Sequence, residues 1–135
     1  MADNSFQLEI VTPDRLVVKE PANEVQIPGM TGYLGILPGH APLITELGVG
    51  EISYRNAAGL HHLAVAWGFA EVLPDKVTIL AETAERPGEI DVARAEKDKA
   101  EAQSLIKAGG AELDYRKAEG QLKKAETRIE VAGKK

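Results

Sequence analysis

The chain has 135 residues, 44% of them hydrophobic and 4% aromatic, with a formal net charge of −5 and no cysteine. That length allows one full core, or a small core with an appendage, and the lack of cysteine excludes a disulfide framework and a thiolate metal site. No stretch approaches the ~18 consecutive apolar residues of a spanning helix, and "MADNSFQLEI" at the start shows no basic region followed by an apolar run, so no secretory signal is expected.

The first piece of the chain alternates with period two. In "SFQLEIVTP", Phe6, Leu8 and Ile10 share one face while Gln7 and Glu9 share the other. Pro13-Asp14 turns into "RLVVKE", and "NEVQIPG" alternates again before Gly29 and Gly32 mark another turn. Next comes "TGYLGILPGHAPLI", residues 31–44, with three glycines and two prolines threaded between strand-type aliphatics. Gly32 and Gly35 would let its backbone bend closely, while Pro38 and Pro42 stiffen it. Gly48 and Gly50 precede "EISYRN", "LHHLAVAW" and "FAEVL" are parted at Gly68, and "KVTILAE" closes the series. Eight or nine short strands with tight turns and no long helix between them predict an antiparallel β-sandwich or barrel.

Past Arg86-Pro87-Gly88 the chemistry changes. Residues 1–90 carry 12 acidic and 5 basic side chains, residues 91–135 carry 9 and 11, and all seven prolines precede residue 88. From Asp91 to Lys107 an Ala, Glu and Lys composition reads as a helix with Asp91 as N-cap and Gly109-Gly110 as its stop. A second helix is expected over about residues 111–131. Val92, Ala95, Lys99, Ala102 and Ile106 on the first, and Tyr115, Ala118, Leu122, Ala125 and Ile129 on the second, recur at heptad steps. The glycine hinge makes the two antiparallel. The fold class is therefore α+β, a β-sandwich over residues 1–86 followed by a helical hairpin over 87–135. The seam is thin in large side chains, so the hairpin should lean on another surface.

Little in the chain suggests catalysis. There is no G-x-S-x-G elbow and no Walker loop. His61 and His62 are adjacent and face opposite sides of a strand, and His40 has no carboxylate or serine beside it in sequence. No metal site and no enzyme are expected. The acidic balance and scarce aromatics argue against nucleic acid. One constellation stands out in "AERPGEIDVARAEK". Asp91 and Arg94 sit on the first helical turn with Glu85 just before, and an antiparallel second helix returns Lys124 and Arg128 to the same place. One reading is an N-cap beside a solvated arginine; the other is an anion or nucleotide site at a helix N-terminus.

The motifs "GYLGILPGHAPL", "GFAEVLPDKVTILAETAER", "EIDVARA" and "LDYRKAEGQLKKA", in this order along the whole chain, resemble the epsilon subunit of bacterial F-type ATP synthases, the counterpart of the mitochondrial delta subunit. The resemblance implies a non-catalytic rotor subunit whose sandwich meets the gamma subunit and the c-subunit ring. Its hairpin would either fold back or extend into the alpha/beta catalytic hexamer and inhibit ATP hydrolysis. It implies a peripheral subunit on the cytoplasmic face of the cell membrane, with no required cofactor and ATP as a regulatory ligand. Carried over residue by residue, the nucleotide-binding positions are Glu85, Ile90, Asp91, Arg94, Ala95, Lys124 and Arg128. Glu101 and Lys124 stand where the nucleotide-binding members have arginine, and the glutamate would reverse a charge facing phosphate. Tyr33 and Leu34 match the loop toward the c ring, and His40, Ala41, Pro42 and Leu43 the surface toward gamma. Leu34 is expected to point outward, and His40 is either an interface residue or a turn histidine without a partner. Trp67 departs from the family's usual glycine, as a core cap or a subunit contact. A stand-alone nucleotide-binding sensor outside any membrane complex is the alternative.

Overall fold

The computed structural model describes residues 4–134; the signal reading falls partly on residues 1–3, and the end of the hairpin on Lys135, both outside them. Seven strands are described: β1 (Phe6–Val11), β2 (Leu16–Ala22), β3 (Glu24–Gly29), β4 (Gly32–Ile36), β5 (Leu43–Asn56), β6 (Gly59–Val72) and β7 (Lys76–Glu85). They form one sheet in the order β2-β1-β7-β6-β5-β3-β4. β1 lies far from β3 and β4 in that order. Yet Phe6, Leu8 and Ile10 share a buried cluster with Val25, Ile27 and Ile36. The sheet therefore curls over on itself, and the two inner faces of the resulting sandwich close one aliphatic core.

Eight or nine strands were too many by the described residues, and the reason is glycine. The expected breaks at Gly48–Gly50 and at Gly68 are bends inside two 14-residue strands. Gly68 keeps partners on both sides, Leu47 of β5 and Ala81 of β7. Its φ is 129°, and a Cβ there would collide with the carbonyl oxygen of Leu80. Here glycine permits close strand approach and a crease in place of a turn. Trp67, just before it, has φ 53° and is the one described non-glycine residue at positive φ. The ladders are antiparallel except that β1 pairs with β7 in parallel, Val11 opposite Leu80.

A single 3-10 turn, Pro87–Glu89, leads into α1 (Val92–Ala108) and α2 (Tyr115–Ala132). Asp91 caps α1 by accepting from the Arg94 N–H at 3.0 Å, and Asp114 caps α2 by accepting from Lys117 at 3.1 Å. The second helix thus begins later than expected, because Asp114 supplies its cap. Gly109, with φ 65°, ends α1. The expected seam is realised by its small members. Ala95, Ala102, Ala118 and Ala125 are buried, whereas Val92 and Tyr115 are exposed. Alanine lets the helices approach closely but buries little area, so the pairing is weak by itself. α1 packs chiefly on α2, while α2 packs on β5, β6 and the 3-10 turn.

Candidate functional site

Where the hairpin folds back, it closes a cleft of about 460 Å³ against the sandwich. The end of β7 gives Glu82 through Glu85, the first turns of α1 give Asp91, Arg94 and Asp98, and α2 gives Gln121, Lys124, Ala125 and Arg128. The turn between β1 and β2 adds Thr12, Asp14 and Arg15. The first set is spaced at 0, 3 and 7 and the second at 0, 3, 4 and 7, each one face of a helix. The antiparallel hairpin brings both faces to the same cleft.

Of the residues expected there, Glu85, Asp91, Arg94, Lys124 and Arg128 line the cleft together. Two do not. Ile90 is buried in a small apolar cluster with Ala64, Val131 and Ala132, and Ala95 is buried between the helices. Glu101 was expected to face phosphate. It is exposed in the neighbouring groove between α1 and α2, beside Asp98 and Gln121, and does not line this cleft, so its charge reversal bears on the cleft only at a distance. Asp98 was missed, although its place four residues after Arg94 puts it on the same helical face.

The cations in the cleft are not bare. Arg128 Nε donates to Glu85 Oε1 at 2.7 Å, Nη2 donates to Oε2 at 3.1 Å, and Asp98 lies 3.8 Å from Nη1. This fork-to-fork pair ties α2 to β7 with the Arg128 side chain only 13% exposed. Arg15 pairs with Glu89 at 2.8 Å. Arg94 is in none of these pairs and is exposed. Its guanidinium, with the unpaired N–H groups of the first turn of α1, is the group in the cleft free to meet an anion. Lys124 holds its ammonium 5.9 Å above the Trp67 ring. An incoming anion would thus meet Arg94 first, with Lys124 and Arg128 adding positive charge beside it from their present places.

The linker is fastened as well. Glu89 Oε1 accepts from the Arg86 N–H at 2.9 Å; that hydrogen bond, aided by Arg15, holds the Glu89 carboxyl below its usual range. Arg86 Nη1 donates to Tyr54 OH at 3.3 Å, while burial pushes the Tyr54 hydroxyl up. At the far end of α2, Lys134 Nζ donates to Glu51 at 2.6 Å, a bond that holds its ammonium above the usual value. The same carboxylate takes His62 Nδ1 at 2.6 Å. His61 is on the other side of β6, stacked on Tyr54 with ring centroids 4.7 Å apart.

The remaining expected residues fall into two places. Tyr33 lies across β5, 58% exposed, its hydroxyl accepting from the Glu51 N–H at 2.9 Å. That crossing needs a glycine at 50, where a Cβ would come within 2.6 Å of the Tyr33 oxygen. Leu34, expected to point outward, is half-buried on the core cluster, because alternation along β4 turns it inward when Tyr33 turns out. Residues 37–40 form a turn closed by the His40 N–H to Leu37 C=O bond at 3.2 Å, with Pro38 second and Gly39 at φ 83° third. Gly39 N–H donates to Pro74 C=O at 2.8 Å, leaning this loop on the β6–β7 turn. His40 Nδ1 is 2.7 Å from the Ala41 carbonyl, and Ala41, Pro42 and Leu43 are exposed beside Leu37 and Ile44. A Cβ at Gly32 or Gly35 would meet nothing within 4 Å, so neither serves a close approach within this chain.

Comparison with known proteins gives two matching family profiles. One is described as ATP synthase, Delta/Epsilon chain, beta-sandwich domain, over residues 5–87, and the other as the long alpha-helix domain of the same chain, over residues 89–133. A curated relative, the ATP synthase epsilon chain of Koribacter versatilis, is 66% identical over 112 residues, covering 83% of this chain and 78% of its own. The ATP synthase epsilon chain 2 of Syntrophotalea carbinolica is 43% identical over 130 residues, 96% of this chain and 94% of its own. Among solved structures, a chain of the Euglena gracilis mitochondrial ATP synthase superposes with a TM-score of 0.80 at 23% identity, covering 96% of this chain and 81% of that one. At that identity the likeness concerns the fold.

Proposed function

The chain belongs to the delta/epsilon family of ATP synthase subunits, and from that premise we propose that it is a non-catalytic rotor subunit whose hairpin is a nucleotide-responsive brake. In this reading the sandwich is the rigid coupling piece. The exposed apolar loop at residues 37–44 meets the gamma subunit, and Tyr33 with its neighbours meets the c-subunit ring. The protein works as a peripheral subunit on the cytoplasmic face of the membrane; no described helix is long and apolar enough to cross one. The hairpin has a folded-back state and an extended one, in which it reaches the alpha/beta catalytic hexamer and inhibits hydrolysis.

The observation that carries the nucleotide reading is the cleft, whose cations come from three separate elements and converge only when the hairpin is folded back. ATP bound there stabilises that state alone. The gain follows RT ln(1 + [L]/Kd), about 2.7 kcal/mol at a hundredfold excess of ligand over Kd, enough to shift an element whose states differ by a few kcal/mol. Calorimetry of the purified protein should show an ATP-dependent rise in Tm that Arg94→Ala removes. A Tm unmoved by millimolar ATP would end the nucleotide reading while leaving the rotor reading standing.

A further inference from the structure

We propose that Trp67 is a latch that positions the folded-back hairpin, seated in a notch that Gly120 opens in the middle of α2. Two locally unfavourable choices meet at this point. Trp67 takes a left-handed φ of 53°, which a bulky side chain rarely adopts and which persists only where surrounding contacts hold it. Gly120 sits inside an 18-residue helix, where glycine weakens the helix relative to any ordinary residue. Each explains the other. A Cβ on Gly120 would lie 3.1 Å from Trp67 Cζ2 and 3.9 Å from Cη2, tighter than ordinary carbon contact. The crease at residues 67–68 swings the indole out of the β6 pleat, and the missing side chain on α2 receives it.

One turn further along α2, Lys124 places its ammonium 5.9 Å above the same ring, within cation–π range. The helix thus grips the indole through a bare backbone at residue 120 and a cation at residue 124. Other holds of α2 and its C-terminal end on the sandwich include the Glu85–Arg128 and Glu51–Lys134 ion pairs and the apolar cluster of Ile90, Ala64, Val131 and Ala132. All lie toward its C-terminal end. The Trp67 seat is the hold nearer the middle of α2, and without it the helix is fixed at one end and free to swing. Lys124 also lines the cleft, but the latch does not depend on nucleotide.

The test uses the full chain without nucleotide and follows hydrogen exchange of the α2 amides. Trp67→Gly should speed that exchange about tenfold, while the amides of β6 and β7 stay within about twofold, because glycine suits the backbone there. Gly120→Leu fills the notch with a good helix former. With Trp67 present it should speed α2 exchange; in the Trp67→Gly background it should slow it, the sign reversing because no ring is left to meet. The emission of Trp67, the single tryptophan of the chain, should shift to longer wavelength in Gly120→Leu. Unchanged α2 exchange in Trp67→Gly would overturn the latch. So would an effect of Gly120→Leu of the same sign in both backgrounds, or slower exchange in Gly120→Leu alone.

Discussion

The sandwich and the hairpin are held together by opposite means. The sandwich buries Leu8, Ile10, Ile27, Leu47, Ile52, Leu63 and Ile79 almost completely. Each contributes roughly 1.5–3 kcal/mol by burial. The hairpin buries alanines between its helices and docks through two ion pairs, one indole and one small apolar cluster. A structure dominated by aliphatic area is hard to bias with a small ligand. A structure held by charge and one aromatic contact can be moved by an anion or a partner, since its contacts are few and exchangeable. In the proposed reading, that difference in chemistry suits one piece to be a mount and the other a switch.

Four measurements test that contrast. The largest effect is expected from Leu8→Ala, which should cost about 3 kcal/mol in urea unfolding and take the hairpin with it, since α2 has its docking surface on the sandwich. Glu85→Ala should release α2 selectively, at a cost of about 1–3 kcal/mol to docking, because Arg128 loses its fork partner at a largely buried position. Hydrogen exchange should report it in α2 with β1 and β7 unaffected. Deleting residues 89–135 should leave a cooperatively folding sandwich within about 1 kcal/mol of its stability in the full chain; failure to fold would show that the mount depends on the switch. The smallest effect is the pH response of the linker. Glu89 has a lowered carboxyl pKa, so its contribution is fully present above its ordinary value of 4.5 and fades as pH falls through the lower folded value. Protection factors at residues 86–90, taken relative to the intrinsic exchange rate at each pH, should therefore fall below pH 4.5, before those of the sandwich change.

The same contrast governs what could be foreseen from residues alone. Period two in Phe6, Leu8 and Ile10 announced β1 directly, because alternation is local. Gly68 misled, since a turn glycine and a crease glycine look identical until the flanking strands supply partners on both sides. In the cleft, Asp91, Arg94, Lys124 and Arg128 were legible from helical spacing and the antiparallel return. Thr12, Asp14 and Arg15 were not, because nothing near them in sequence states that β1 runs parallel to β7 and carries their turn to the end of that strand. The pairing of Trp67 with Gly120 joins residues 53 positions apart, each of which alone reads as an oddity.

The one-sided anchoring of the hairpin also orders events in time. α1 follows the sandwich in the chain but finds its main packing surface on α2, and the contacts that hold α2 down lie at residues 120 to 134. During synthesis, at roughly 5–20 residues per second, the sandwich has all its strands before α1 begins, while α1 must wait for α2 before it has a place to lie. A newborn chain therefore passes through a stage with a finished mount and an undocked arm, and a partner already present would meet it in that form.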